Sequence, residues 1–361
     1  MLTADGCKLR RQRLLDRLAP NGSLLLGDPL NLRYFANCYV DPFSLGADYG
    51  GFLLIRPDGH TTLFHDARLP KSVESSRVDE RVPIVWYDGK SPGVGARRWS
   101  IQPVIDKAGT GGRVHDAYTD PGAAELWRIV TEMRRVKDAD ELDVLRACMR
   151  ATEAGHTWAR ANAKPGMTEL QVYTGMFAAC SEAAEHAVIV YGDFAVSPGP
   201  VRRGGAPTNH VIQPGEMLIL DYSVVIGGYR SDFTNTLVIG AEPKPEQRRL
   251  YDLSVAAMEA GEAKLRAGAA CLDVYNAVLG AFESAGVGDK FPHHAGHGIG
   301  LSHPEAPFFV KHANETLLAG DVVTLEPGLY IDNVGGLRIE NNYLVTETGF
   351  EKLSRHTITL T

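Results

Sequence analysis

No stretch of this chain approaches the roughly 20 consecutive apolar residues that a membrane span needs, so no membrane partner is expected. Positive charge is also short. Against 44 Asp and Glu stand 37 Lys and Arg, a formal net charge of −7, which leaves no electrostatic footprint for nucleic acid or an anionic membrane surface. The start of the chain, residues 1–15, is charged and lacks an apolar run, so no signal peptide is expected. The five cysteines (Cys7, Cys38, Cys148, Cys180 and Cys271) are scattered, odd in number and without CxxC spacing. They read as reduced core thiols of a cytoplasmic protein rather than as a disulfide framework or a catalytic thiol.

What is present fits an ordinary soluble globular chain of 361 residues with 44% hydrophobic and 22% charged residues, long enough for two or three domains. Residues 1 to about 130 alternate short strands and helices. Strands are expected at 23–26, 51–55, 61–64, 82–86 and 104–106, with a turn at Pro57-Asp58-Gly59. This reads as an α/β domain without a phosphate-loop, zinc or nucleophile-elbow pattern. Trp86, Tyr87, Trp99 and Trp127 read as core or interface aromatics. Around Met133-Arg-Arg-Val-Lys137 the character changes and long helices begin, which sets the expected division at 1–132 and 133–361.

A helix opens at the capping-box pattern Asp138-Ala-Asp-Glu141 and stops at Pro165-Gly166. Thr168-Glu-Leu-Gln171 caps a second that runs to about residue 184. His156 and His186, near these helices, read as structural or solvated. After a Gly- and Pro-rich segment at 197–207 comes the stretch on which the rest is organised, from Asp221 to Asp232-Phe-Thr-Asn-Thr. It reads as a hairpin about Gly227-Gly228. With the turn centred on Ile226-Gly227, Asp221 falls opposite Asp232. Like charges so placed repel unless a cation lies between them or they share a proton. The neighbours Leu218, Ile219, Leu220 and Phe233 argue against a solvated hairpin with incidental acids.

The order then repeats: a helix from Pro245, another over 272–285, a Gly- and His-rich segment at 293–303, and a second hairpin. Gly166, Leu170, Val172, Tyr173, Ala179 and Ala183 match Gly268, Leu272, Val274, Tyr275, Ala281 and Ala285 at constant offset, an internal duplication of about a hundred residues. In the second half Glu326 takes the position of Asp221, and Glu340 closes the hairpin whose turn lies near 333–335. A pseudo-twofold packing would gather the four carboxylates. Four anions call for more than one divalent ion, and two ions roughly 3.5–4 Å apart activate a bridging water and polarise a substrate carbonyl. His297, in a run of glycines, is the candidate nitrogen ligand. Oxygen ligands with one imidazole suit Mn²⁺, Co²⁺, Fe²⁺ or Zn²⁺ alike.

The segments Asp221…Asp232-Phe-Thr-Asn-Thr, Gly296-His-Gly-Ile-Gly, Thr324-Leu-Glu-Pro-Gly-Leu-Tyr330 and Leu337-Arg-Ile-Glu340 resemble those of the pita-bread metallopeptidases: methionine aminopeptidase, Xaa-Pro aminopeptidase and prolidase. The likeness covers residues 133–350, and the first domain is similar in order and size to that of the Xaa-Pro and creatinase branch. The implied fold is α+β, a creatinase-type α/β domain followed by a pita-bread domain of duplicated helix-helix-hairpin halves. The resemblance implies that Asp221, Asp232, His297, Glu326 and Glu340 ligate two metals, with Glu326 as acid/base partner of the bridging water. A homodimer is the assembly expected.

Three departures bear on the substrate. Gly204 or Gly205 stands where family peptidases carry a histidine before Pro207-Thr208. Pro304 stands where a second histidine precedes Glu305, with His303 one place early; a bulge of one residue would let His303 supply that donor. Asn235 replaces an arginine. Arg338 reads either as a binder of a substrate carboxylate or as a structural ion pair; Arg202 and Arg203 could supply anion binding in place of the missing histidine, but a solvated loop is the expectation. The expected function is an Xaa-Pro aminopeptidase or dipeptidase acting on a short peptide. The alternatives are a non-peptide amidohydrolase of the creatinase or ectoine-hydrolase kind, acting on a small amide, and a metal-binding relative without turnover.

Overall fold

The computed structural model describes residues 1–19, 22–40, 43, 51–69, 73–85, 89–90, 92 and 124–361, and these divide into two compact units, Met1–Arg134 and Arg135–Thr361. In the first unit α1 (Ala4–Leu18), capped by Thr3, and α2 (Pro29–Ala36), capped by Asp28, accompany a sheet of four strands. The strands are β1 (Leu24–Leu26), β2 (Phe52–Ile55), β3 (Thr61–Asp66) and β4 (Glu80–Ile84), and β3 and β4 run parallel. Leu25, Phe52, Leu54, Phe64 and Ile84 form the core on one side of it. Residues 104–106 and the aromatics Trp86, Tyr87 and Trp99 lie outside the described residues, and Trp127 is half-buried. The long helices begin earlier than the change of character near Met133 suggests, because α3 (Ala124–Arg135) already spans it.

In the second unit, α4 (Ala139–Asn162) opens on Asp138, whose backbone N–H donates to Glu141 at 2.9 Å. The helix α5 (Glu169–Ala184) opens on the reciprocal pair Thr168 and Gln171. Then come β5 (Ile189–Val196), β6 (Met217–Ile226), β7 (Tyr229–Arg230) and β8 (Phe233–Val238). The second half repeats the plan with α6 (Pro245–Glu262), α7 (Cys271–Ser284), β9 (Gly296–Gly298), β10 (Glu305–Phe309), β11 (Val322–Leu325), β12 (Gly328–Ile331), β13 (Gly335–Arg338) and β14 (Asn341–Val345), with β15 (Phe350–Lys352) at the edge. The duplication extends to detail. An isolated bridge joins Thr168 to Val211 in one half and Ala270 to Thr316 in the other. Val172 and Val274 are each fully buried, one in each half's core.

The hairpin register differs from the expected one. Asp221 pairs with Thr234, and Ile226 with Tyr229, so the turn is Gly227-Gly228 and Asp221 is not opposite Asp232. Backbone chemistry permits this turn, and strand pairing selects it. Both glycines have positive φ, 55° and 87°, the conformation required by the two-residue turn whose twist matches the flanking strands. Asp232 follows β7 and sits beside Ser223, whose Oγ is 3.4 Å from its Oδ1. The offset from the expected register is an even number of residues, so both aspartates keep the same face. In the second half β12 and β13 pair with Gly328 opposite Arg338, and Ile339 N–H reaches Pro327 C=O at 3.3 Å, which aligns Glu326 with Glu340 beyond the strand ends.

Candidate metal centre

The duplication sets two hairpins face to face; Asp221, Asp232 and Glu326 line one cavity of about 360 Å³, and Glu340 is grouped with Asp221 and Asp232. Asp221 lies in the middle of β6, Asp232 between β7 and β8, Glu326 just after β11 and Glu340 just after β13. Ligand-competent atoms of Asp221, Asp232 and Glu340 lie within 4.8 Å of one another, as do those of His294, His297 and Glu326, and those of Asp232, His297 and His303. Thus the four acids and His297, drawn from positions up to 119 residues apart in the chain, stand together.

Electrostatics tests whether cations fit. Glu340 is buried, donates nothing, and accepts from Thr234 Oγ1 at 2.7 Å on one oxygen while the other, Oε1, has no partner. Burial, with the charges of Asp232, Asp221 and Glu326 behind it, pushes the Glu340 carboxyl well above the ordinary carboxylate range. Burial likewise raises Asp221 to about 6, although the Arg338 guanidinium opposes the rise. These are the signs of anions short of positive charge. An unpartnered buried carboxylate oxygen beside three further carboxylates and an imidazole is a donor set that divalent cations fit.

The histidines are distributed around this cluster. His297 Nε2 is 3.6 Å from Asp232 and 3.6 Å from Glu326, and its Nδ1 meets the Gly298 carbonyl at 3.0 Å. That hydrogen bond leaves Nε2 as the nitrogen turned toward the acids. Burial lowers its pKa and favours the neutral ring that a metal ligand requires. Although one place early in the chain, His303 reaches the cluster, with Nε2 2.7 Å from Asp232 Oδ2. Burial opposes its protonation, but the bond to Asp232 outweighs burial and raises its pKa.

Sequence reasoning missed three residues. His294 Nε2 sits 2.9 Å from Glu326 Oε1, and this contact, acting against burial, holds Glu326 below its usual range. His293 Nε2 lies 3.3 Å from the Tyr330 hydroxyl, and burial lowers its pKa to about 4. Their place inside the His-rich segment was the available signal. Asp193 had none: it enters because β5 pairs with β6 and sets it directly opposite Asp221.

Arg338 stands two residues before Glu340 as expected, and it is buried. Its Nη2 pairs with both Asp221 and Asp193, and its Nη1 donates to Tyr330 Oη at 2.8 Å. Of the two readings of Arg338, this is the geometry of the ion pair. Arg202 is likewise engaged, bidentate to buried Glu169 at 3.2 and 3.0 Å. Gly204 has no room for a side chain, since a Cβ there would meet Asp193 Oδ2 at 2.0 Å. Asn235 exchanges two hydrogen bonds of 3.0 Å with the backbone of Thr359, so it secures the C-terminal segment. His156 is structural, buried and bonded to the Phe233 carbonyl at 3.1 Å. All five cysteines are buried, and none forms a disulfide.

The model of metallopeptidase family M24 matches residues 143–347. An uncharacterised peptidase of Staphylococcus haemolyticus is 28% identical over 344 residues, covering 91% of this chain and 93% of that protein. Among solved structures, the Xaa-Pro dipeptidase from Bacillus anthracis superposes with a TM-score of 0.79 at 22% identity, covering 99% of both chains. The dipeptidase PepE from Mycobacterium ulcerans does so with a TM-score of 0.73 at 25% identity, covering 100% of this chain and 98% of that one. The family match spans more than half of the chain and every residue of the acidic cavity, so the chain belongs to metallopeptidase family M24 and is a metal-dependent peptidase of pita-bread fold.

Proposed function

We propose that this protein is an Xaa-Pro peptidase working with two divalent ions held by Asp221, Asp232, His297, Glu326 and Glu340 in the unit 135–361. The observation that carries the reading is the buried quartet of carboxylates with the orphaned Glu340 oxygen, a charge excess that one divalent ion would only halve. The structural likeness to an Xaa-Pro dipeptidase supports the substrate class. Bound in this cavity, divalent ions supply a Lewis acid and lower the pKa of water.

The chain's own residues do the rest. Glu326, kept ionised by His294, accepts the proton of the attacking water and can return it to the leaving nitrogen. Thr324 Oγ1 accepts the His297 backbone N–H at 3.2 Å and lies 3.5 Å from Glu326 Oε1, so the two are held in one frame. His303, on the cavity wall, carries the N–H that meets the developing oxyanion. Arg338 and Tyr330 fix the orientation of Asp221.

The test is metal analysis joined to hydrolysis. Protein loaded with Mn²⁺, Co²⁺, Zn²⁺ or Fe²⁺ should bind about two ions, and Asp232→Ala or Glu340→Ala should lose at least one, because each removes an anionic ligand. The loaded parent should hydrolyse X-Pro substrates in preference to small N-acyl amines. A parent with at most one tightly bound ion, or one that cleaves N-acyl amines and leaves X-Pro peptides intact, refutes this reading.

A further inference from the structure

A second guanidinium faces the cavity. Arg203 lines it, is exposed, and has no acidic partner among the described residues. Its Cζ lies 5.9 Å from the centre of the Tyr330 ring, within the range of a cation–π contact. Through its hydroxyl the same ring touches Arg338 and His293, so one aromatic ring separates Arg203 from the residues that border the acids.

The loop that carries Arg203 is built rather than loose. Buried Glu169 takes hydrogen bonds from Val196 N–H, both terminal nitrogens of Arg202, and the N–H and hydroxyl of Thr208. Ser197 Oγ donates to the Arg202 carbonyl at 2.6 Å, and Phe194 N–H to the Gly205 carbonyl at 2.9 Å. Gly204 lets the loop pack directly on Asp193. Neighbouring arginines therefore have opposite situations. Arg202 is spent on holding the loop, and Arg203 is presented by it.

Arg338 cannot do the same work. Asp221 and Asp193 occupy its Nη2, Tyr330 occupies Nη1, and its remaining nitrogen, Nε, is buried. An incoming carboxylate would have to displace two others from it. A carboxylate entering the cavity therefore finds Arg203, on the wall and without an acidic partner among the described residues, as the available guanidinium.

We infer that Arg203 is the specificity-determining residue that binds the free carboxylate of the substrate, so that the preferred substrate is a dipeptide rather than a longer or C-terminally blocked peptide. This rests on the Xaa-Pro reading above and names the substrate class of the same site. In a dipeptide the carboxylate lies about one Cα–Cα step, ~3.8 Å, past the scissile bond. In a longer chain that place holds a neutral amide, which a guanidinium fork binds less well.

The experiment compares Ala-Pro with Ala-Pro-amide as substrates, and L-proline with L-prolinamide as calorimetric ligands, for metal-loaded parent, Arg203→Met and Arg203→Lys. The parent should prefer Ala-Pro and bind proline more tightly than prolinamide. In Arg203→Met the kcat/KM ratio of dipeptide over amide should fall on the order of 10–100-fold, carried by KM, with a parallel loss of proline affinity. Arg203→Lys should recover part of both, since it keeps the charge and loses the fork. An unchanged ratio in Arg203→Met, or a parent indifferent to the carboxylate, overturns the inference. If the parent cleaves neither substrate, the Xaa-Pro reading fails by itself. The proline titration then still decides Arg203: loss of affinity in Arg203→Met upholds it, and unchanged affinity overturns it.

Discussion

His303 occupies a place in the chain next to the one at which family peptidases carry their histidine, and the fold carries its ring to Asp232 all the same. Because it meets Asp232 and also neighbours His297, with ring centres 5.0 Å apart, donor and ligand roles predict different results. As the oxyanion donor, His303→Ala should lower kcat by about 10²–10³-fold, the worth of one positioned donor, and leave metal content unchanged. Elemental analysis of the same preparation checks it; loss of an ion together with activity would make His303 a ligand instead. At this scale the sequence was partly legible. Four acids and His297 stand in motifs of recognisable spacing, and they meet in one cluster. Asp193 and the pairing of Arg338 were not legible, because which carboxylate faces which guanidinium depends on strand register and not on spacing.

Among the elements, α5 shows how a helix terminus can shape a cavity lining from a distance. Its first residue, Glu169, is fully buried and holds the segment from Val196 to Thr208. Burial would raise its pKa, but hydrogen bonds from Thr208, Val196 and Arg202 overcome this and keep it ionised. Removing one partner of such a pair leaves the other uncompensated, at a cost of a few kcal/mol where the pair is fully buried and less here, since Arg202 is 32% exposed. Glu169→Ala should therefore loosen the loop and make the bonds after Arg202 and Arg203 open to trypsin under conditions in which the parent is resistant. Timed digestion with mass mapping reads this directly, and a variant as resistant as the parent would show that other bonds hold the loop. The capping boxes and the course of the helices could be read from sequence, because caps are local chemistry. The hairpin register could not be settled in the same way, since two adjacent glycines allow more than one turn centre. Only the pairing of β6 with both β5 and β8 selects one.

At the scale of the whole molecule, the C-terminal segment ties the two halves of the second unit together. His356 Nε2 meets the Thr234 carbonyl at 3.1 Å, Asn235 holds Thr359, and Val238 N–H donates to the Leu360 carbonyl at 2.7 Å. His356 also stacks on Phe233 and on His156, with ring centres 4.5 and 4.8 Å away. Burial lowers His356 to about 4 and His156 well below the ordinary value of 6.5. In the unfolded chain these rings take up protons near pH 6.5, and in the folded chain His356 does so only near pH 4. Between those values the unfolded state binds more protons, so stability is full above about 6.5 and falls as the pH drops toward 4. For His356 the loss is on the order of 3 kcal/mol. Urea unfolding of parent and His356→Gln at pH 7 and pH 5 should show the smaller acid-induced loss in the variant; equal losses would mean that the ring titrates normally in the fold.

Local patterns and their repetition determined, from sequence alone, the helices with their caps, the duplication, and the identities of the acids and of His297. Each of these depends on residues near one another in the chain or on a comparison of the chain with itself. Only the tertiary structure decided that Asp193 stands across from Asp221, that Arg338 is held between them, that His294 bonds Glu326, and that Arg203 faces the cavity while Arg202 does not. Those relations join residues from separate strands and loops, and electrostatic energy depends on the distance and burial of charges, which the order of residues along a chain does not contain.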